Sequence, residues 1–364
     1  MILVVNIGSS SLKLALFFLN GVKINFLYKE NIVLKSLKDI TQIVSSRIEF
    51  YYSKQFVQQI DVVIHRVVHG GKFVRPVLLN KTIINGIKKN SSFAPLHNPY
   101  NIAGIEVCRK LFPFIKQYAV FDTAFHASLP LKVKIYGLPY SYYEQGIMKY
   151  GFHGQNFAYC TKIAIQFLYQ EKNKLIICHL GNGCSITAVK DGKSVDTSMG
   201  FTPAEGLLMG TRAGDIDSGV IEYLLRKNSV ENVFSVLEKK SGLVGISGES
   251  NDVLQLHKIS LGKGERAKRA QLAIDVFVYR IVRYIGAYYA VLGGCDAIVF
   301  TGGIGENAWY LREEICKQLK VFGLQFDLNE NRKNAFLISV KKSKIKVLVI
   351  AANEELQMVK EVFE

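Results

Sequence analysis

A short pattern of strands and glycine turns occurs twice in this chain, and it restricts the possible folds more than any other feature. The first copy begins with an apolar run at residues 2–7, a small polar turn at 8–11 and a second apolar run at 12–18. The hairpin dipeptide Asn20-Gly21 follows, and a third strand is predicted at 22–28. Three consecutive strands therefore open the chain.

The same order of elements returns near the middle of the chain. An apolar run at 175–180 precedes a tight turn at 181–183, a strand at 184–190, the hairpin dipeptide Asp191-Gly192 and a strand at 193–197. Helical patterns alternating with short buried strands follow each copy, and these strands are predicted at 61–65, 118–121 and 297–301. The pattern predicts an α/β protein with two similar domains, related by internal duplication, and a cleft between them.

Composition excludes several classes of protein and leaves one alternative open. The 364 residues are 49% hydrophobic, which is enough for packed cores and excludes a disordered, collagen-like or coiled-coil chain. The 46 Lys and Arg against 30 Asp and Glu give a net charge of +16, which is typical of nucleic-acid binders. The lysine-rich segments at 257–269 and 341–346 have no interleaved aromatic residues, so a solvated basic surface is favoured. Such a surface also attracts anionic substrates.

The N-terminus and the cysteines bear on the cellular location. Polar positions from Asn6 onward interrupt the apolar start of the chain, no basic region precedes it, and no apolar run reaches the roughly 18 residues of a membrane span. We therefore expect neither a secretory signal nor a transmembrane segment. The six cysteines are scattered without a CxxC pair, which predicts free thiols in a reducing cytoplasm.

Three glycine-rich turns follow predicted strands and indicate phosphate binding. They lie at 8–11, 181–183 and 301–307, and a turn without bulky side chains brings backbone N–H groups close to phosphate oxygens. Ordinary surface hairpins are the alternative for the first two turns. The chain has no GxxxxGKS/T motif, which excludes a P-loop. Residues 303–308 fit the loose GxGxxA dinucleotide pattern, but too few residues follow to complete that fold.

Two arginines and one aspartate have the setting of catalytic groups. Arg66 and Arg212 stand in glycine-rich strings, where a guanidinium group can hold a carboxylate or phosphoryl group through two parallel hydrogen bonds. The structural alternative is pairing with Asp61 or Asp215. Asp122 follows a predicted buried strand and so lies at the carboxyl end, where open α/β sheets place their chemistry. Capping of the next helix is its alternative role.

Histidines are concentrated early in the chain, where six of the seven lie before residue 180. His65 and His69 have the i, i+4 spacing of a helical metal site, but the β-branched and glycine residues around them indicate the end of a strand. A metal site built on that pair is not favoured. His257, in a lysine-rich segment, is predicted to be solvated.

Ten motifs, taken in chain order, closely resemble those of the acetate kinase family. They are NIGSSSLK, HRVVHGG, APLHNP, VFDTAFH, YGFHG, HLGNG, GFTPAEGLLMGTRAGDID, SGLVGIS, TGGIGEN and AANEEL, and they extend from Asn6 to Glu355. The resemblance implies an α/β protein of two duplicated ribonuclease-H-like (actin-like ATPase) domains with a central nucleotide cleft. The first domain would comprise 1–125, completed by 355–364, and the second would comprise 126–354.

The activity implied by the resemblance is reversible transfer of the ATP γ-phosphoryl group to acetate, giving acetyl phosphate and ADP by direct in-line transfer. Mg²⁺, or Mn²⁺ in its place, would be the metal cofactor, and ATP the co-substrate. The enzyme would be a cytoplasmic homodimer without nucleic-acid or membrane partners. Propionate or another short-chain carboxylate is the alternative substrate. An actin- or Hsp70-like ATPase switch is the alternative outside the kinases, although 364 residues leave no room for the partner-binding domain it would need.

The family's site residues can be carried over to the matching positions of this chain. The resemblance implies metal contacts at Asn6 and Glu354 and catalytic roles for Asp122, His153 and Arg212. The residues that would bind the substrate carboxylate and methyl group are Arg66, Val68, Leu96, Phe152 and Pro203. The residues that would surround ATP are Ser9, Ser11, Lys13, His179, Leu180, Gly181, Asn182, Gly183, Asp252, Val253, Leu254, Gly303, Ile304, Gly305, Glu306 and Asn307.

The role of Asp122 can be narrowed by the chemistry of the substrate. A carboxylic acid with a pKa of about 4 is ionised at neutral pH and offers no proton to a general base. We therefore expect Asp122 to orient hydrated Mg²⁺ or Arg66.

Two departures from the family pattern bear on nucleotide binding. Residues 148–150 read Met-Lys-Tyr where the family has Arg-Arg-Tyr, and Leu254 stands where the family has an arginine.

Overall fold

Two β-sheets flanked by helices organise the protein. The structure, a computed structural model, describes residues 1–8, 11–21, 23–34, 39–53, 60–95, 97–170 and 172–364. The strands are β1 Ile2–Ile7, β2 Ser11–Asn20, β3 Lys23–Val33, β4 Val62–Val67, β5 Val77–Leu78, β6 Lys116–Phe121, β7 Lys174–Leu180, β8 Cys184–Lys190, β9 Lys193–Thr197, β10 Ala297–Thr301 and β11 Lys346–Val349. The helices are α1 Asp39–Ser53, α2 Lys81–Lys89, α3 Asn98–Leu111, α4 Leu131–Lys134, α5 Tyr140–Glu144, α6 Gly154–Leu168, α7 Ser218–Leu225, α8 Val230–Ser235, α9 Gly242–Ser247, α10 Val253–Ser260, α11 Glu265–Leu292, α12 Gly302–Asn307, α13 Trp309–Gln318, α14 Leu328–Arg332 and α15 Glu354–Phe363.

The two sheets share one topology. In the first sheet the strand order is β3-β2-β1-β4-β6-β5, with β1 antiparallel to β2 and parallel to β4. In the second sheet the order is β9-β8-β7-β10-β11, with β7 antiparallel to β8 and parallel to β10. An antiparallel meander of three strands is therefore followed by two parallel strands in both sheets. This is the duplicated ribonuclease-H-like α/β arrangement, and the duplication predicted from the repeated pattern is confirmed.

The predicted strands appear, with some differences in their bounds. β8 and β9 begin and end where the alternation of apolar residues predicts. β3 continues to Val33, beyond the predicted end at residue 28, and its alternating exposure is typical of a strand at the edge of a sheet. The sequence pattern does not predict β5 or β11, because β5 has two residues and β11 follows directly on a lysine-rich segment.

Side chains of β1 alternate between the two faces of the first sheet. The odd-numbered residues pack in one core cluster with residues of α1 and α3, whereas Ile2 and Val4 pack against Met358 and Val359 of α15. By the same alternation Asn6 faces α15. The strand is buried along its whole length because helices cover both faces of the sheet.

By its internal contacts the chain divides into two units, and each unit contains one of the sheets. Unit 1 comprises Met1–Ala127, Phe152–Ala158 and Asn353–Glu364, and unit 2 comprises Ser128–Gly151 and Tyr159–Ala352. The domain limits inferred from the resemblance, at 1–125 with 355–364 and at 126–354, stay a prediction about the duplicated modules.

The cysteines are thiols, as the sequence predicts. All six cysteines lie in the described part of the chain and are free. Burial raises the pKa of Cys108, Cys184 and Cys316 to about 12, so these thiols are protonated at neutral pH. None of the helices in the described ranges is long and apolar enough to cross a membrane.

The histidine pair of the HRVVHGG motif lies at a strand end, as the sequence predicts. His65 belongs to β4 and is 1% exposed, with Nε2 2.9 Å from Oε1 of Gln117 on β6. His69 follows the strand and is fully buried. Burial lowers the pKa of each histidine to about 4, so both are neutral in the folded protein near pH 7.

The turn between β8 and β9 requires a left-handed backbone conformation, and its effect on stability can be tested. Asp191 and Gly192 both have positive φ, at 51° and 76°. A Cβ on Gly192 would meet only Ile165, at 3.7 Å, so Gly192→Ala adds backbone strain without a clash. We expect the free energy of unfolding to fall by about 1–2 kcal/mol in urea titrations. The control is Gly137→Ala, where φ is ordinary and no atom lies within 4 Å. Equal stability of the two variants would contradict the prediction.

The lowered pKa values of the buried histidines make the free energy of unfolding depend on pH. Because the pKa of His65 falls from 6.5 to about 4 on folding, the unfolded chain binds more protons between these values. Stability should be fully present above pH 6.5 and should be lost as the pH falls towards 4, by roughly 3 kcal/mol for this residue. The difference in unfolding free energy between pH 7 and about pH 4.5 should therefore be smaller in His65→Gln, which keeps a polar partner for Gln117. An identical pH slope in the variant and the native protein would show that His65 does not contribute.

Candidate active site

Unit 1 brings a polar cluster together where its parallel strands end. Asn6 lies near the end of β1, Arg66 near the end of β4, and Asp122 directly after β6. Because these three strands are parallel, their carboxyl ends meet at one edge of the sheet. Glu354, the first residue of α15, joins them there.

Arg66 and Asp122 form a buried ion pair with two parallel hydrogen bonds. Nε of Arg66 lies 2.8 Å from Oδ1 of Asp122, and Nη2 lies 2.6 Å from Oδ2. Nη1 donates to Oδ1 of Asn6 at 3.0 Å. The alternative that Arg66 pairs with Asp61 is wrong, since Asp61 pairs with the amino group of Met1. The pair holds the guanidinium plane in one orientation.

Burial and charge oppose each other in this pair. Burial acts to lower the pKa of Arg66, but Asp122, Glu354 and Glu355 raise it on balance, so the guanidinium is charged. Burial also raises the pKa of Asp122, and Arg66 opposes that rise. Since two hydrogen bonds join the groups, the ionised pair is the state that the geometry supports.

Two adjacent glutamates on α15 have different partners. Glu355 is 1% exposed and accepts hydrogen bonds from Lys29 Nζ at 2.6 Å and from Asn6 Nδ2 at 2.8 Å. Glu354 lies farther from its neighbours, 3.2 Å from Asn6 Nδ2 and 3.8 Å from Arg66 Nη1. Sequence reasoning selected Glu354 and missed Glu355 and Lys29. The adjacent position in AANEEL was a signal for Glu355, but only the pairing of β2 with β3 brings Lys29 near.

The YGFHG turn is anchored to the segment that follows β6. His153 has a positive φ of 58°, which is strained for a residue other than glycine, and its backbone amide hydrogen-bonds to the Asp122 carboxylate. The amide of Gly154 donates to the carbonyl of Asp122 at 3.0 Å, and a Cβ on Gly154 would lie 2.0 Å from that oxygen. His126 Nε2 lies 2.9 Å from the carbonyl of Phe152. These contacts place His153 next to Asp122.

The residues assigned to the methyl pocket are partly within unit 1. Val68 and Phe152 are buried, at 3% and 1% exposure, and the ring of Phe152 lies 5.7 Å from that of His69, the neighbour of Val68. Leu96 lies outside the described residues. Pro203 belongs to unit 2.

The N-terminal turn can be described only in part, because Ser9 lies outside the described residues. The carbonyl of Ser11 accepts a hydrogen bond from Gly8 at 2.7 Å, which closes the turn. Lys13 stands directly opposite Asn6 in the β1–β2 register, so the two side chains share one face of the sheet.

Unit 2 contains a pocket of about 500 Å³, a volume in the range of small-molecule sites. Three segments form it: the turn after β7, the start of α10, and α12 with the start of α13. Residues predicted to surround ATP make up most of the lining, namely Gly181, Asn182, Asp252, Val253, Leu254, Gly303, Ile304 and Asn307. Other predicted residues are their chain neighbours but do not line it, namely His179, Leu180, Gly183, Gly305 and Glu306. Sequence reasoning missed Asn251, Ala308 and Tyr310.

A buried arginine supports the glycine-rich helix α12 at this pocket. Arg312 is 1% exposed and donates to the carbonyls of Gly305 at 2.7 Å and Glu306 at 2.9 Å. Its remaining hydrogen bonds reach Asn331 and Asn334 around α14. The carboxylate of Glu306 accepts from the amide of Ala352 at 2.9 Å, so it is engaged within unit 2. No sequence motif pointed to Arg312.

Arg212 lies in a loop of unit 2 that is held by hydrogen bonds between its own residues. Nη1 donates to the carbonyl of Pro203 at 3.1 Å, and burial lowers the pKa of the guanidinium. The alternative that Arg212 pairs with Asp215 is wrong, because Asp215 accepts from the amide of Gly206 at 2.9 Å and from Tyr284 Oη at 2.7 Å. Arg212 and Pro203 therefore lie close together because they belong to the same loop and share a hydrogen bond.

A second set of contacts holds the same loop. Lys149 Nζ lies 2.6 Å from Oε1 of Glu205, and the hydroxyl of Tyr136 donates to the other oxygen of that carboxylate. The amide of Phe201 donates to the Tyr136 oxygen at 2.7 Å. Residues 148–150 depart from the family pattern, but Lys149 still supplies a positive charge, which pairs with Glu205 of the loop.

His257, interpreted from the sequence as a solvated residue, is partly exposed and also makes a ring contact that the sequence did not indicate. Its ring stacks on that of Tyr310 with centroids 3.8 Å apart and planes 8° from parallel. The proximity arises because α10 and α13 border the same pocket, which the lysine-rich composition of residues 257–269 does not reveal.

Comparison with known proteins agrees with this architecture. A family model described as the Acetokinase family matches residues 35–360. The acetate kinases of Halothermothrix orenii and Helicobacter hepaticus are 45% and 42% identical to this chain, each over 98% of this chain and 96% of its own length. The solved structure of a propionate kinase from Francisella tularensis has a TM-score of 0.89 at 40% identity, covering 99% of this chain and 98% of its own. Porphyromonas gingivalis acetate kinase has a TM-score of 0.87 at 35% identity with the same coverage.

These matches extend over nearly the whole chain and agree in sequence and in fold. They are consistent with the repeated sheet topology and with the ten ordered motifs that the chain contains. The chain belongs to the acetokinase family.

Proposed function

We propose that this protein transfers the γ-phosphoryl group of ATP to acetate, reversibly and by direct in-line transfer, to give acetyl phosphate and ADP. The observation that carries the proposal is the buried cluster of Arg66, Asp122, Asn6 and Glu354 at the strand ends of unit 1, in a chain of the acetokinase family. Phosphoryl transfer is catalysed mainly by positioning and by cations near the moving group, and this cluster supplies both.

ATP is assigned to the pocket of unit 2. Apart from Asp252, whose carboxylate caps α10, the lining consists of glycine, amide, apolar and tyrosine side chains, which suits a nucleoside, and α12 borders the pocket. We assign the phosphates to Ser9, Ser11, Lys13 and the glycine turns at 181–183 and 303–307. These turns allow close approach because they carry few side chains.

Mg²⁺ is assigned to Asn6 and Glu354. The fit rests on the donor set: the amide oxygen of Asn6 and the carboxylate of Glu354, next to the carboxylate of Glu355, which Lys29 neutralises and Asn6 hydrogen-bonds. Mg²⁺ commonly uses one or two carboxylates together with phosphate oxygens and water, and Mn²⁺ accepts the same ligands. No cluster of three or more His, Cys, Asp or Glu suited to a metal occurs in the described ranges, which is compatible with so small a protein contribution. When bound, the ion would neutralise phosphate charge.

Arg66, His153 and Arg212 are assigned to the acetate carboxylate and the moving phosphoryl group. Among the described residues, Arg66 uses one N–H of each nitrogen on Asp122 and Asn6, so further N–H groups remain for the substrate. Asp122 acts by holding Arg66, since acetate brings no proton to remove at neutral pH.

The protein is further proposed to be a cytoplasmic homodimer. Its free thiols support the cytoplasmic location, and the family resemblance supports the homodimer.

Propionate is the second candidate substrate. The solved propionate kinase from Francisella tularensis, with its 40% identity and TM-score of 0.89, favours it. Val68 and Phe152, both buried, are the groups of unit 1 whose size would limit the acyl chain. One methylene in such a pocket changes selectivity by only about 1–3 kcal/mol.

The substrate can be tested by trapping acyl phosphate with hydroxylamine in the presence of ATP and Mg²⁺. We expect kcat/KM to decrease in the order acetate, propionate, butyrate. Val68→Ala should raise the ratio of propionate to acetate kcat/KM by roughly fivefold or more, because it adds space for a methylene. An unchanged ratio would remove Val68 from the pocket. Absence of acyl phosphate with all three acids would contradict the proposed function and leave an ATPase.

The ion pair gives a separate test. Asp122→Asn leaves the Arg66 guanidinium buried without its counter-charge, so we expect unfolding free energy to fall by about 3–5 kcal/mol and kcat/KM to collapse. The matched control is Asp61→Asn, which removes an aspartate that is 58% exposed and should cost less than about 1 kcal/mol. Near-normal kcat/KM and Mg²⁺ dependence in Asp122→Asn would show that Arg66 does not need Asp122 to hold its orientation.

A further inference from the structure

The pocket of unit 2 contains an aromatic pair that the phosphoryl-transfer roles leave unexplained. Tyr310 lines the pocket, and His257 covers one face of its ring at a centroid distance of 3.8 Å and an angle of 8°. The two residues come from α13 and α10, so the stack joins two helices that border the pocket. Tyr310 is the one aromatic residue among the described lining residues, so its ring is the aromatic surface available to a ligand in this pocket.

The other lining groups are uncharged or already engaged. The apolar side chains are Val253, Leu254, Ile304 and Ala308, and the amide side chains are Asn182, Asn251 and Asn307. Among the described lining residues there is no lysine or arginine. The carboxylate of Asp252 caps α10, 2.7 Å from the amide of Leu254 and 3.3 Å from that of Gln255. A base entering this pocket therefore has stacking, apolar contact and amide hydrogen bonds available, but no cation.

We propose that Tyr310, held in place by His257, is the surface on which the nucleotide base stacks, and that it selects purines over pyrimidines. The inference rests on the proposed function in taking the ligand of this pocket to be a nucleoside triphosphate. A purine covers more of an aromatic ring than a pyrimidine does, so stacking on Tyr310 favours the larger base. His257 is a positioning residue, because it reaches the base only through Tyr310.

The chain's single tryptophan provides a readout that is independent of activity. Trp309 precedes Tyr310, with ring centroids 5.8 Å apart, so its fluorescence reports on the pocket. The dissociation constants of the Mg²⁺ complexes of ATP, GTP, CTP and UTP are measured by fluorescence titration and repeated by calorimetry. The variants are Tyr310→Ala, Tyr310→Phe and His257→Ala. The matched control is Phe322→Ala, which removes a stack on Tyr289 in the same unit, at 4.2 Å and 17°.

We expect the native protein to bind both purine nucleotides more tightly than both pyrimidine nucleotides. Tyr310→Ala should raise the ATP dissociation constant about tenfold or more and reduce the purine preference, as loss of a base–aromatic stack does. Tyr310→Phe should retain both properties, and His257→Ala should weaken ATP binding about threefold because the Tyr310 ring loses its support. Phe322→Ala should leave nucleotide binding unchanged. The KM for acetate should be unchanged in all four variants.

Two results would overturn the inference: equal affinity of the native protein for ATP and CTP, or an unchanged purine preference in a folded Tyr310→Ala variant. If Tyr310→Ala does not fold, as judged by its melting temperature, an unchanged ATP affinity in His257→Ala overturns it instead. These outcomes differ from failure of the proposed function. A native protein that forms no acyl phosphate but binds purines through Tyr310 refutes only the kinase assignment, whereas normal acyl phosphate formation without dependence on Tyr310 refutes only this inference.

Discussion

The site in unit 1 depends on one buried ion pair, that of Arg66 with Asp122. Two charges removed from water cost several kcal/mol each unless their geometry is good and their other hydrogen-bonding groups are satisfied. Both conditions are met here: the carboxylate receives two N–H groups at 2.8 and 2.6 Å, and Asn6 takes a third. Because the partners come from β4 and the end of β6, the pair also ties adjacent strands together. The pair therefore belongs both to the fold and to the candidate site.

The two copies of the fold carry different side chains at the corresponding strand ends. In unit 1 the ends of the parallel strands carry charge, with three carboxylates, Arg66 and Lys29 joined through Asn6. In unit 2 the corresponding region, after β7 and β10, is a pocket of mostly uncharged residues, with Asp252 as the one charged side chain among the described lining residues. The topology is shared, so the difference lies in the side chains at the turns. A common fold thus carries two chemically different surfaces.

Much of the fold and part of the candidate site could be predicted from the sequence. Apolar alternation and the dipeptides Asn20-Gly21 and Asp191-Gly192 are local signals, so they gave the strands, their order and the duplication. The position of Asp122 at a strand end followed from the same reasoning. The proposed pairings of Arg66 with Asp61 and of Arg212 with Asp215 were wrong, because nearness in sequence does not decide which carboxylate a strand-end guanidinium meets. The stacking of His257 on Tyr310 was missed for a related reason, since the composition of a lysine-rich segment does not indicate which helix packs against it.

The sequence by itself determined the repeated strand pattern, the glycine turns and the ten motifs that mark the family, because each depends on residues adjacent in the chain. Only the tertiary structure decided which polar groups share partners. Lys29 reaches Glu355 through strand pairing, Arg312 reaches the carbonyls of α12 through helix packing, and Tyr310 meets His257 across two helices. These contacts join residues up to 326 positions apart. Glu355 and Arg312, each 1% exposed, require such partners, since a buried polar group without a partner costs more than the bond contributes.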